Sequence, residues 1–341
     1  MFKKLFFILL QLLPVMACAQ HISIGERTYN FKDTVRNRPV VTEVWYPTDD
    51  DYSKADSSYA YPFIHIPTIF YATVPKRKFP LVMISHGTGG GRKTLEWLAD
   101  ILVSHGFVVA AVDHYGNTYD NKIAIDFVTP WERPQDISYA LTQLLKDKTI
   151  GPAIDANRIG AAGFSIGGYT VIALAGGKLD LSALENFSNT RQGIKEMTLP
   201  EFPNLKQTLD GTAVYNSFKS SPPLKDARIK AFFAICPAAG QGFPSAAQFK
   251  DITAPLYIVG AQSDSIAPVQ TNAKYYHGLI KGSQLFIVAG KVGHYVFLNE
   301  GTADTKKGTG PYFKDDATVD RRKVHQQVGG IAAKFFEEML K

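Results

Sequence analysis

The chain has 341 residues, 45% of them hydrophobic, and a formal net charge of +6, so it can bury a sizeable core without help from metals or disulfides. That charge is mild and lacks a dense Arg/Lys stripe, and no recognisable DNA- or RNA-binding module is present, so no nucleic-acid partner is expected. Cys18 and Cys236 are the two cysteines, too few for a disulfide framework.

The first element is a leader. "MFKKLFFILLQLLPVMACAQ" opens with Lys3 and Lys4, continues as a short apolar stretch and ends in small residues. This predicts an export signal over residues 1–19, too short for a membrane span. Its end has two readings. "VMAC" has the form of a bacterial lipobox, which would leave a lipid on Cys18 as a membrane attachment; "ACA" before Gln20 fits ordinary cleavage after Ala19. Either way Lys3 and Lys4 are lost and the charge falls to about +4. The mature protein is expected outside the cytoplasm of a bacterial cell, whether periplasmic, secreted or lipid-anchored.

"VVTEVWYP" (Val40–Pro47) alternates partly and predicts an outer strand. "FPLVMISHG" (Phe79–Gly87) and "FVVAAVDH" (Phe107–His114) are short apolar runs of buried-strand type. Between them "KTLEWLADILVSHG" has helical spacing, as does "DISYALTQLLKD" (Asp136–Asp147). "RIGAAGFS" then reads as strand and "IGGYTVIALAG" as helix. Strands resume at Ile229–Pro237, Ala254–Ala261 and Ser283–Gly290, and an amphipathic helix closes the chain. This alternation predicts an α/β fold: one domain over 20–341, with a mostly parallel sheet and helices on both faces. The more polar stretch 178–225 reads as a cap inserted over the sheet. Cys236 ends an apolar run and is expected to be buried.

"GFSIG" (Gly163–Gly167) fits G-x-S-x-G, with a strand before it and a helix after it. A chain turning that sharply brings the positions flanking the serine together, leaving no room for Cβ atoms. Ser165 is therefore the candidate nucleophile, and it needs a base and an acid. Among eight histidines, His294 stands just past the last predicted strand, where active-site loops of such sheets gather. His277 and His325 are expected on the surface, and His21, His65 and His105 have no special setting. Asp264, after the strand at Ala254–Ala261, completes the order Ser…Asp…His. Asp251 precedes that strand and Glu300 lies beyond His294, so both are weaker candidates. Backbone N–H groups of Ile166 and of Thr88, in the glycine-rich "SHGTGGG", are the expected oxyanion donors. Tyr169 and Tyr295 flank the catalytic residues as candidates for a pocket wall or for plain core. "GTGGGRKT" (Gly87–Thr94) nearly matches a phosphate loop, but Arg92 replaces its last required glycine. Asp113 and His114 are adjacent on a strand and point to opposite faces, a poor pair of metal ligands. No cofactor or metal is expected.

Through "EVWYP", "SHGTGG", "SHGFVVAAVDHYGN", "RIGAAGFSIGGYT" and "GAQSDSIAPV…GHYVF" the chain resembles the α/β-hydrolase superfamily. It looks closest to the predicted dienelactone hydrolases and the platelet-activating-factor acetylhydrolases. The likeness runs from "RPVVTEVWYP" to the final helix. It implies a serine hydrolase of carboxylic esters acting on a small ester or lipid-like substrate. Lipase, phospholipid acetylhydrolase, lactonase and polyester hydrolase remain open within the same fold, as does a non-catalytic binding protein built on it. Two departures stand out. Dienelactone hydrolases proper use a cysteine where Ser165 stands. The acetylhydrolases take their acid from an earlier strand end, here "ICPAAG", which has no carboxylate. "SDSIAPV" is similar to the acid loop of cutinase-like polyester hydrolases; those lack a large cap, so residues 178–225 argue against an open polymer cleft.

Overall fold

Continuous apolar runs can sit only where both faces of a strand are covered, and here they form the middle of a nine-stranded sheet. The computed structural model describes residues 22–58, 62–199, 201–308 and 310–341, without the side chains of 206 and 207. Both readings of the leader, Cys18 included, lie outside the described residues.

The strands are β1 (Ser23–Asp33), β2 (Arg38–Thr48), β3 (Ile69–Phe70) and β4 (Phe79–Ser85); then, after helix α1 (Glu96–Ser104), β5 (Val108–Val112). Helix α2 (Glu132–Lys146), β6 (Ile154–Phe164) and α3 (Ile166–Ala175) follow. Next come four short helices, α4 (Leu181–Ser188), α5 (Arg191–Met197), α6 (Leu205–Thr208) and α7 (Gly211–Ser220). The chain ends with β7 (Ala231–Ile235), β8 (Leu256–Ala261), α8 (Ala273–Leu279), β9 (Gln284–Val288), α9 (Ala303–Gly308) and α10 (Arg321–Met339). The sheet order is β3-β1-β2-β5-β4-β6-β7-β8-β9. From β5 to β9 all pairings are parallel, and β2 is antiparallel to both β1 and β5.

The sheet separates two cores. Ile137, Leu141 and Leu144 of α2, Val171 and Ile172 of α3, and Tyr276 of α8 pack on one face. Leu98 and Leu102 of α1 and Val328, Ala332 and Phe336 of α10 pack on the other. Their four-residue spacing on α10 puts one stripe inward, and Asp320 starts that helix by accepting from the Lys323 N–H at 3.2 Å.

Two expectations are corrected. Val40–Pro47 is not outermost, because β1 and β3 lie beyond it; Arg27, Thr28, Asn30 and Lys32 break the apolar signature of β1. Helix α2 begins at Glu132 rather than Asp136, with Pro134 in its first turn, where a missing N–H costs no helical bond.

The stretch 178–225 carries α4–α7 between α3 and β7. It is pinned to the body at several points. Trp131 Nε1 donates to Ser217 Oγ at 2.9 Å and its ring meets Phe218 edge-on at 5.0 Å. Phe202 meets Phe127 edge-on at 4.9 Å, and Thr271 Oγ1 donates to Glu196 Oε2 at 3.0 Å.

Candidate active site

Ser165 sits between β6 and α3 with φ 58° and ψ −121°, a left-handed conformation that a side chain adopts only when its surroundings impose it. They do so here. Its N–H donates to the Ile235 carbonyl at 2.9 Å, and its carbonyl accepts from Gly168 and Ala238 at 2.8 and 3.0 Å. A Cβ on Gly163 would strike the Gly167 carbonyl, and one on Gly167 the Ser85 carbonyl. The glycines are therefore required by the packing of β4, β6 and α3 around the turn.

The structure brings Ser165, His294 and Asp264 together although 129 residues separate the first two. His294 Nε2 lies 2.9 Å from Ser165 Oγ, and His294 Nδ1 lies 2.6 Å from Asp264 Oδ2. A carboxylate can only accept from the ring, so Nδ1 carries the proton and Nε2 is free to take one from the serine. The other Asp264 oxygen accepts from the N–H groups of Ile266 and Ala267 at 2.9 and 2.7 Å. Burial pushes this carboxyl up; the neighbouring His294 and those two N–H groups outweigh it and leave the acid below the usual carboxylate range. The Phe164 ring, 4.7 Å from the imidazole, backs His294, and Ser263 N–H ties the acid loop to the histidine loop at the Val292 carbonyl, 3.0 Å away.

In the loop after β4, Gly89 N–H donates to Asn117, Gly90 to the Gly87 carbonyl, Gly91 to Thr94 Oγ1 and Arg92 to Asp113. Among the described residues the N–H groups of Thr88 and Ile166 are without an acceptor, as is that of Gly87. The first two are the donors expected for an oxyanion. The amides of Gly89, Gly90, Gly91 and Arg92 are thus engaged within the protein, and the Arg92 side chain pairs with Asp113 and Glu43.

Beneath this loop runs a buried relay that the sequence reading missed. Arg133 donates to the His86 carbonyl. His86 Nδ1 lies 2.6 Å from the Gly87 carbonyl, while its Nε2 accepts from the His114 N–H at 3.2 Å. His114 Nδ1 is 2.9 Å from Asp136, and its Nε2 is 2.9 Å from Ser85 Oγ. Asp136 is held in turn by Arg38 at 2.9 and 3.2 Å. Each imidazole thus donates from Nδ1 and accepts at Nε2, as a neutral ring does. Burial first, then the charge of Arg133, holds both histidines well below their ordinary pKa. Burial lowers Arg133 itself to about 9. "SHG" and "VDH" advertise these histidines, but their partners come from α2 and β2.

Other candidates resolve plainly. Tyr169, expected as a pocket residue or core, is 0% exposed and packs near Phe243 at 6.2 Å; it is core, because that side of α3 faces β7 and α8. Tyr295 is half-buried, edge-on to His294 at 5.5 Å and to Tyr312 at 4.8 Å. Burial, then Tyr312 and Glu201, raises its phenol to about 12. His325 is not on the surface: it is buried, stacks on Trp97 at 4.3 Å and bonds the Val296 carbonyl at 2.7 Å. His65 is buried against Glu96 at 2.6 Å, while His105 and His277 are exposed. Asp251 pairs with Lys178, and Glu300 with Lys306 and Arg322. Asp113 and His114, expected on the strand, lie just past its end at Val112; Asp113 pairs with Arg92, whereas His114 meets Asp136 and Ser85. Cys236 is buried, with Asp264 and His294 within 4.8 Å; at 2.6 Å the Asp264–His294 hydrogen bond leaves no room for an ion between them.

A family model described as PET hydrolase-like matches residues 63–202. A cutinase of Thermobifida alba is 26% identical over 218 residues, covering 63% of this chain and 52% of the relative. Cutinase 1 of Thermobifida cellulosilytica is 24% identical over 218 residues, covering 63% and 59%. The chain thus spans about half the length of the curated relatives it matches. A ferulic acid esterase from Streptomyces cinnamoneus superposes with a TM-score of 0.63 over 96% of this chain and 92% of that one, at 19% identity. With the topology above, this establishes the α/β-hydrolase fold.

Proposed function

We propose that the chain is a serine-dependent hydrolase of carboxylic esters, exported from a bacterial cell through its N-terminal leader. The observation that carries this is the Ser165–His294–Asp264 relay, with hydrogen bonds of 2.9 and 2.6 Å, mounted on a strained turn.

In this reading Ser165 Oγ attacks the ester carbonyl carbon as His294 Nε2 takes its proton. The carbonyl oxygen becomes an oxyanion and rests on the N–H groups of Thr88 and Ile166. Asp264 stabilises the imidazolium and keeps its orientation. His294 returns the proton to the alcohol oxygen as the carbon–oxygen bond breaks, leaving an acyl-serine. A water, deprotonated by the same imidazole, attacks that ester; collapse releases the acid and restores Ser165. The buried His86–His114 relay holds the backbone that presents Thr88, so the donors are in place before charge develops.

Polyester hydrolysis is the second reading, favoured by the similarity to cutinases and to the PET hydrolase-like family. The helices of 178–225 weigh toward small esters.

A fluorophosphonate probe tests the central claim. Folded native protein should label on Ser165 and hydrolyse 4-nitrophenyl acetate, and Ser165→Ala should do neither above a residual rate. Native protein that neither labels nor turns over ester would leave the fold as a binding scaffold.

A further inference from the structure

Glu201 stands in the cap between α5 and α6 and is half-buried. Among the described residues nothing pairs with its carboxylate. Its neighbour fixes its position: Phe202 N–H donates to the Leu199 carbonyl at 3.0 Å, and the Phe202 ring meets Phe127 of the body edge-on at 4.9 Å. The carboxylate also fills a space that the loop after β4 leaves open. Gly89 has φ 62°, and a Cβ there would stand 3.2 Å from Glu201 Oε1. Glycine at 89 is thus the residue this backbone favours and the one that lets the carboxylate approach.

Gly89 follows Thr88, the expected oxyanion donor. Bond lengths alone put the Thr88 nitrogen within about 10 Å of Glu201 Oε1. The histidine loop is close as well. The Tyr295 phenol is raised by burial, then Tyr312, then Glu201, and the Tyr312 phenol by burial and then Glu201, so the charge of the carboxylate reaches both rings. Tyr295 is edge-on to His294 at 5.5 Å and to Tyr312 at 4.8 Å. Glu201 therefore lies near both of the loops that frame Ser165. The cations of the loop after β4 are engaged elsewhere, Arg92 with Asp113 and Glu43, and Lys93 with Glu26. Asp264, the other acid here, is buried against His294.

An unpaired carboxylate beside tyrosine rings is a setting that attracts a quaternary ammonium group. We propose that Glu201 is a specificity-determining residue that selects esters carrying a fixed positive charge a few bonds from the scissile carbonyl. This rests on the ester-hydrolase reading above and assigns neither the acyl nor the alcohol half to a side of the serine. A unit charge about 6–8 Å from the carboxylate, in the effective dielectric of a protein surface, gains roughly three- to tenfold in binding, and a substrate carboxylate loses as much.

The test uses two pairs of esters matched in shape, at low ionic strength, where charge is least screened. The 4-nitrophenyl esters of 4-(trimethylammonio)butanoate and 5,5-dimethylhexanoate place the charge, or its neutral counterpart, on the acyl half. Acetylcholine and 3,3-dimethylbutyl acetate place it on the alcohol half. The cationic-to-neutral ratio of kcat/KM is read within one enzyme, so a general loss of activity cancels. In at least one pair Glu201→Gln should lower that ratio roughly three- to tenfold, while Glu201→Asp, which keeps the charge, should hold it within about twofold of native protein. Ratios that are unchanged or raised in both pairs in folded, active Glu201→Gln overturn the proposal. An equal fall in both variants overturns it too, because shape and not charge is then being read. Native protein that labels with fluorophosphonate but hydrolyses only the neutral ester of each pair also overturns it. Native protein that neither labels nor hydrolyses any of the four esters would instead refute the ester-hydrolase reading itself.

Discussion

Asp264→Asn tests how the relay works. The two N–H groups of Ile266 and Ala267 point at one oxygen of the Asp264 side chain, at 2.9 and 2.7 Å. In the variant they can be satisfied only by the amide oxygen, so the amide NH2 must face His294 Nδ1, where the carboxylate now stands 2.6 Å away. An NH2 group there donates, and Nδ1 must then accept. The ring proton moves to Nε2 and points at Ser165, 2.9 Å away. The base is blocked with every heavy atom in place. The expected loss in kcat is on the order of 10⁴, equivalent to about 5 kcal/mol of transition-state stabilisation. The assay is steady-state hydrolysis of 4-nitrophenyl acetate near pH 8, with circular dichroism and thermal melting to establish that the variant is folded. Folded Asp264→Asn within tenfold of the native rate would refute both the acid assignment and the tautomer argument.

Further outcomes follow from the buried groups. His325, lowered to about 4 chiefly by burial, stays neutral in the fold while the unfolded chain takes up a proton near pH 6.5. Its contribution to stability is complete above that pH and is lost as pH falls toward 4, by about 3 kcal/mol. Glu43, raised to about 7 by burial and Glu26, titrates in the opposite sense over the same range, so the comparison must be between variants. The stability gap between native protein and His325→Asn, measured by urea unfolding at pH 7.5 and 4, should narrow by that amount; an unchanged gap counts against it. Gly167→Ala drives a Cβ into the Ser85 and His86 carbonyls. It should lower stability by about 1–3 kcal/mol and reduce activity by shifting the oxyanion loop; a melting temperature equal to native protein would contradict the packing argument.

The parts that the sequence by itself determined are those governed by neighbours along the chain. Apolar runs and helical spacing located β4, β5, β6, β7, β8, β9 and the principal helices, because burial on both faces or on one stripe leaves a periodic trace. The Gly163–Gly167 pattern identified the turn, because steric crowding there is local. Ser165, Asp264 and His294 could be placed at one edge because parallel strands collect their carboxyl ends there. What only the tertiary structure decided is the partnership of polar groups from distant segments. His86 and His114 became a neutral relay only through Arg133 and Asp136; His325 became interior through Trp97, more than 200 positions away. Strand β1, polar in sequence, found its place by pairing with β2. The cavity of about 610 Å³ among α4–α7, closed on one side by Val128, has no local signature at all. It is the space left between four helices and the body, and its volume depends on how those surfaces meet rather than on any one stretch of residues.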